Sequence, residues 1–160
     1  MQAAIQFFKD ALRHEVRASA FYGKAAEITR DDESRMLYLK LAGMEDDHAG
    51  QLAQKVKNAE CGKTFDVDAF LRELDSDIDA TISPADLKLI ETGTMRQVLE
   101  LAISYENQAC QNYENLARET TDFDLKAHCL EAVKEERSHV RDLTNLLNSL
   151  DMGEDDRPGL

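Results

Sequence analysis

The chain has no tryptophan and only two prolines and seven glycines among its 160 residues. With so few imposed breaks, and with Ala, Leu, Glu, Lys, Gln and Arg abundant, long helices are favoured. The three cysteines, Cys61, Cys110 and Cys129, are widely spaced and form no Cys-x-x-Cys pair. That excludes a zinc ribbon or any other four-cysteine metal site, and it points to free thiols in a reducing, cytoplasmic setting. Basic residues are scarce as well: 19 stand against 32 acidic ones, for a formal net charge of −13. A chain so charged is a poor partner for nucleic acid or an anionic lipid surface, and it is compatible with attracting cations. No apolar run is long enough to span a membrane. Met1-Gln2-Ala3-Ala4-Ile5 lacks the basic and apolar regions of a signal peptide, so none is expected.

What is there is helical periodicity. It predicts four long helices. The first spans Gln2 to Thr29, with an inward stripe of Ala4, Phe8, Ala11, Glu15, Ala18, Tyr22 and Ala25. The second starts at Asp31 or Asp32, with the stripe Leu37, Leu41, Glu45, His48, Leu52, Val56 and Ala59, and is expected to stop at Gly62 in a left-handed conformation. The third starts at Thr94, where Thr94-Met95-Arg96-Gln97 has the form of a capping box, and carries Leu99, Ala102, Glu106, Ala109, Tyr113 and Leu116 inward. The fourth follows Thr120-Thr121-Asp122, with the stripe Leu125, Cys129, Ala132, Glu136, His139, Leu143, Leu146 and Leu150. His14 and His128 lie off these stripes and are expected to face solvent. The acidic tail, residues 153–160, is expected to be disordered, leaving one domain over residues 1–152.

Short turns make each consecutive pair an antiparallel hairpin. A connection of about 30 residues, roughly 62–93, joins the hairpins and is long enough to run the length of a bundle. It holds two expected short helices, Val67 to Ile78 and one after Ser83-Pro84. The fold class is therefore all-α: a four-helix bundle of two antiparallel hairpins joined by one long crossover, with the third long helix parallel to the second.

The hairpins repeat each other at an offset of 91 residues. Ala11 matches Ala102, Ala18 matches Ala109, Tyr22 matches Tyr113, Leu39 matches Leu130 and Leu52 matches Leu143. Six polar residues interrupt the apolar stripes in the same register: Glu15, Glu45 and His48 in one half, Glu106, Glu136 and His139 in the other. Each Glu-x-x-His places a carboxylate and an imidazole on one helical face. Glu15 and Glu45 lie equally far from the turn near residue 30, as do Glu106 and Glu136 from the turn near residue 121. Equal distance from an antiparallel turn means equal height, so all six should meet in one layer. Four buried carboxylates require compensation, and two divalent metals carry the opposite charge. Carboxylates with imidazole suit iron or manganese, with zinc also possible.

One Glu from each of two helices and a Glu-x-x-His from each of the others is the pattern of ferritin-like di-iron carboxylate proteins. Within them, Glu15-Val16-Arg17-Ala18-Ser19-Ala20-Phe21-Tyr22 resembles the first helix of rubrerythrins, and Leu101 to Tyr113 resembles their third. The resemblance implies that Glu15, Glu45, His48, Glu106, Glu136 and His139 bind two iron ions, with Glu45 and Glu136 bridging. It also implies that Tyr22 and Tyr113 hydrogen-bond to ligating carboxylates, although both also read as ordinary core tyrosines.

The implied function is a di-iron oxidoreductase that reduces hydrogen peroxide or O2, commonly as a homodimer. The small Ala18 and Ala109 would leave room for the oxidant. Two departures from the family stand out. Ala109, followed by Cys110, occupies the place of an additional Glu in peroxidase members, and no rubredoxin motif is present. Electrons would then come from a separate donor protein. Cys110 reads best as a small buried hydrophobe. The alternatives are a ferroxidase or iron-storage protein without multiple-turnover peroxidase activity, and a metal-stabilised structural bundle.

Overall fold

The computed structural model of the chain describes residues 1–76 and 82–156, with side chains through residue 150. The described residues form α1 (Gln2–Ile28), α2 (Asp32–Asn58), a 3-10 turn (Glu60–Lys63), α3 (Val67–Ser76), α4 (Pro84–Thr92), α5 (Met95–Glu119) and α6 (Phe123–Asp156), with no strand. Polar side chains define the starts of these helices. Asp31 accepts the Ser34 amide at 2.8 Å, and Asp122 accepts that of Leu125 at 2.8 Å. Thr94 and Gln97 form the reciprocal capping box, at 3.2 and 2.9 Å. Ser83 accepts the Asp86 amide at 3.1 Å, with Pro84 in the first turn where its missing N–H costs nothing. Each cap contributes about 1 kcal/mol by satisfying amides the helix itself cannot.

The long helices α1, α2, α5 and α6 build an all-α ferritin-like bundle. α1 packs on α2 and α5, and α5 packs on α6. Two apolar clusters, separated along the bundle, make its core. One joins Phe8 and Leu12 of α1 to Leu52 and Val56 of α2, Tyr113 and Leu116 of α5, and Leu125 and Cys129 of α6. The other joins Phe21 and Tyr22 to Tyr38 and Leu41, Leu99 and Ala102, and Leu143. The C-terminal halves of α2 and α5 share the first cluster, so these helices run parallel. The crossover returns the chain between the two ends. Val67 and Phe70 of α3 join the first cluster, and Ile90 of α4 joins the second.

Several expectations need correction. α2 ends at Asn58, and Gly62 lies in the 3-10 turn rather than in a left-handed helix stop. Its role is close approach: a Cβ there would sit 2.0 Å from the Val56 carbonyl oxygen. α6 runs past Gly153 to Asp156, so the helix extends into the stretch expected to be disordered. No proline interrupts it before Pro158, which lies outside the described residues. α3 ends at Ser76, and its expected extension to Ile78 falls outside the described residues. His14 and His128 are half-buried rather than solvent-facing. His14 donates from Nε2 to the Tyr105 carbonyl at 2.7 Å and stacks on the Tyr105 ring, because α1 meets a second helix, α5, beside its main stripe. These partners are themselves 91 residues apart, so the crossing of α1 and α5 lies on the axis relating the two hairpins. His128 lies beside Tyr113, with its Nε2 buried and unpartnered.

Among the described residues, no helix is long and apolar enough to cross a membrane. Cys61, Cys110 and Cys129 are all free and buried.

Two glycine substitutions should act in opposite directions. Gly50, inside α2, has open space where a Cβ would go, so Gly50→Ala should raise stability by about 1 kcal/mol. Gly62→Ala forces the backbone apart and should lower it by about 1–3 kcal/mol. Urea denaturation of both variants measures the contrast.

Candidate metal centre

Between the two apolar clusters lies a layer of polar side chains. Glu15 comes from α1, Glu45 and His48 from α2, Glu106 from α5, and Glu136 and His139 from α6. None of the six is more than 4% exposed. One chain supplies them all. They arrive at one height because each hairpin carries its carboxylates equidistant from its turn, and the 3.6-residue period keeps each Glu-x-x-His on the inward face.

The side chains form two overlapping groups, each able to hold a metal ion: Glu15, Glu45, His48 and Glu136, and Glu45, Glu106, Glu136 and His139. Glu45 and Glu136 belong to both. Nδ1 of His48 lies 2.8 Å from Glu136 Oε1, 3.5 Å from Glu45 Oε2 and 3.6 Å from Glu15 Oε2. Nδ1 of His139 lies 3.0 Å from Glu136 Oε2, 3.3 Å from Glu45 Oε1 and 3.4 Å from Glu106 Oε2. The imidazole rings are nearly parallel, with centroids 5.8 Å apart.

Most of these approaches are not aligned hydrogen bonds. Both oxygens of Glu15, Glu45 and Glu136, and Nδ1 of His48, are buried without a hydrogen-bond partner among the described residues. Unpaired acceptors of this kind are costly in a core, and divalent cations at the centre of each group would satisfy them. The donor set, carboxylate oxygens with one imidazole per group, suits iron or manganese.

Among themselves, the side chains can balance only by sharing protons. Burial pushes Glu15 well above the ordinary carboxylate range, and its neighbour Glu45 adds to the effect. Glu106 is raised as well, chiefly by burial, with repulsion from Glu45 and Glu136 contributing. Burial opposes charge on Glu45 and Glu136 too, but contacts with the other members of the layer hold both below the usual range. Burial alone would lower both imidazoles, yet the surrounding carboxylates raise them well above their ordinary value. The layer thus favours charge on Glu45, Glu136 and the two imidazoles and opposes it on Glu15 and Glu106.

The tyrosines differ. Tyr22 donates to Glu106 Oε1 in a short, buried hydrogen bond. Its repeat partner Tyr113 is equally buried, but its hydroxyl has no hydrogen-bond partner among the described residues. Ala18 and Ala109 are buried one turn beyond Glu15 and Glu106. Cys110 touches the Val133 carbonyl with Sγ at 4.0 Å, and burial pushes its thiol up to about 11, which disfavours the reactive thiolate. Glu135 was not legible as part of the site. It accepts a hydrogen bond from His48 Nε2 at 2.6 Å, across the gap between α6 and α2. The Glu135-Glu136 pair beside the second Glu-x-x-His was its one sequence signal.

Among known proteins, a family model described as Rubrerythrin matches residues 6–147. No curated protein and no solved structure gives a significant match.

The proton arrangement fixes the sign of two pH effects. Glu15, Glu106 and both imidazoles have raised values, so their stabilisation of the metal-free fold is full below their unfolded values and is lost as pH rises through the folded ones. The melting temperature of metal-free protein should therefore fall as pH rises from about 5 through about 8, where Glu106 gives up its proton, and go on falling above that as the imidazoles still hold theirs. Divalent metal must displace protons held by these groups, so loading near neutral pH should release protons and should weaken in acid. Calorimetry in buffers of different ionisation enthalpy counts them. Tyr22→Phe should lower stability by roughly 1–2 kcal/mol, whereas Tyr113→Phe, which removes an unpaired hydroxyl, should be near neutral or stabilising by thermal denaturation.

Proposed function

The chain belongs to the rubrerythrin family, and from that premise we propose that its polar layer holds two iron ions and reduces hydrogen peroxide or O2. Glu15 and His48 would serve one ion, Glu106 and His139 the other, with Glu45 and Glu136 shared. The observation that carries this reading is the overlap of the two groups through the same two carboxylates. When bound, a ferrous pair supplies the two electrons that reductive cleavage of a peroxide O–O bond requires.

The protein's own part is to bind, orient and exclude. Apolar clusters on either side keep bulk water from the layer. This lowers the local dielectric and strengthens every charge interaction within it. Tyr22 orients Glu106. Ala18 and Ala109 keep side-chain volume low beside the terminal carboxylates, leaving room for a small oxidant. Re-reduction needs an electron donor beyond these 160 residues, which hold no four-cysteine motif, and a donor protein would fill that role.

A second reading, ferroxidase or iron storage without repeated peroxide turnover, is favoured by one feature. Ala109 stands where an additional carboxylate is expected for the peroxidase role. The same residues would hold iron in either case.

Anaerobic Fe(II)-loaded protein mixed with peroxide, and separately with O2, decides between the readings. Fast oxidation by peroxide, followed by re-reduction and repeated turnover, is the expected result. Stoichiometric oxidation with continued iron uptake would favour storage, and no reaction with either oxidant would remove both. Glu45→Ala, which deletes a shared carboxylate, should lower the iron retained per chain by at least half in metal analysis.

A further inference from the structure

The geometry points to Glu135 as the residue that positions His48 for metal and makes the two metal subsites unequal. The inference rests on the di-metal reading above and goes beyond it, because the repeated ligand set by itself implies two equivalent subsites.

His48 is held from both sides. Its Nε2 donates to Glu135 Oε2 at 2.6 Å, while Nδ1 points into the carboxylate layer, 2.8 Å from Glu136 Oε1. A carboxylate can only accept, so Nε2 keeps its proton, and Nδ1, once metal displaces the proton it shares with the layer, is the nitrogen whose lone pair meets the centre. A carboxylate on the outer nitrogen of a metal-binding imidazole fixes its tautomer and ring orientation and increases its donor strength. The Glu135 side chain is 47% exposed, so the outer end of this link reaches solvent.

His139 has no such support. Its Nδ1 faces Glu136, Glu45 and Glu106 at 3.0–3.4 Å, in the same way as that of His48. Its Nε2, however, is buried with no hydrogen-bond partner among the described residues. The repeat explains the difference. His48 and His139 are 91 residues apart, and 91 residues before Glu135 stands Met44. A thioether is at best a weak acceptor and carries no charge. The two halves thus share every proposed ligand and differ at the residue behind the imidazole. The subsite of Glu15 and His48 takes metal first and more tightly, and the subsite of Glu106 and His139 fills second.

Anaerobic calorimetric titration of the metal-free chain with Co(II), which resists oxidation, tests this. Wild-type protein should bind in two steps. Glu135→Ala should weaken the first step about 10- to 100-fold and leave the second nearly unchanged. Glu135→Gln, which keeps an acceptor without charge, should fall between. Met44→Glu should leave the first step in place and tighten the second. The urea midpoint of metal-free Glu135→Ala should fall only slightly and no further than that of Glu135→Gln, so that a stepwise loss of Co(II) affinity separates positioning from a role in folding. An unchanged first step in Glu135→Ala, or an equal loss in both steps, would overturn the assignment while leaving the di-metal reading intact. Wild-type protein that takes up no Co(II) would remove the di-metal reading and this assignment with it.

Discussion

Four carboxylates and two imidazoles share one layer in the middle of a helical core, and the rest of the molecule is arranged around the cost of putting them there. An isolated buried carboxylate is several kcal/mol from being tolerated. Here the acids are never isolated: each lies among imidazoles and other carboxylates, and among themselves these groups reach neutrality only by holding protons. Two divalent cations would replace those protons and satisfy buried oxygens that have no hydrogen-bond partner among the described residues. Stability and function are therefore coupled at this layer, since the arrangement that prepares it for metal is the one that strains it without metal.

The layer also organises the fold. Polar groups across the middle of the bundle leave one apolar cluster above and another below. Each cluster draws on all four long helices, so the helices must be long enough to reach both. The crossover is fitted to the same plan, with α3 closing one cluster and α4 the other. The repeat supplies near-symmetry about the crossing of α1 and α5, where His14 meets its own counterpart, Tyr105. Departures from that symmetry are where the two halves acquire different chemistry. Tyr22 is engaged and Tyr113 is not, and His48 has Glu135 behind it where His139 has no partner.

Much of this was legible from the residues. The inward stripes, the Thr94 capping box and the convergence of Glu15, Glu45, His48, Glu106, Glu136 and His139 all follow from counting along the chain. Residues that face sideways were not legible. His14 and His128 lie off the main stripes and read as solvent-facing, yet neighbouring helices half-cover both. Gly62 read as a helix stop and proved to be a point of close backbone approach to Val56. Glu135 stands one position off the inward stripe, and its contact with His48 depends on how the neighbouring helix packs.

The sequence by itself determined the long helices, the hairpin heights and the membership of the polar layer. Those depend on rise and turn per residue, which are local properties of the chain. Tertiary structure alone decided which off-stripe groups touch across helices. That depends on how far each helix is rotated about its axis and how closely its neighbours pack, and no single helix carries that information. The hydrogen bond from His48 to Glu135 joins α2 to α6 across 87 residues of chain, and its absence at His139 becomes meaningful only once the two halves are superposed in space.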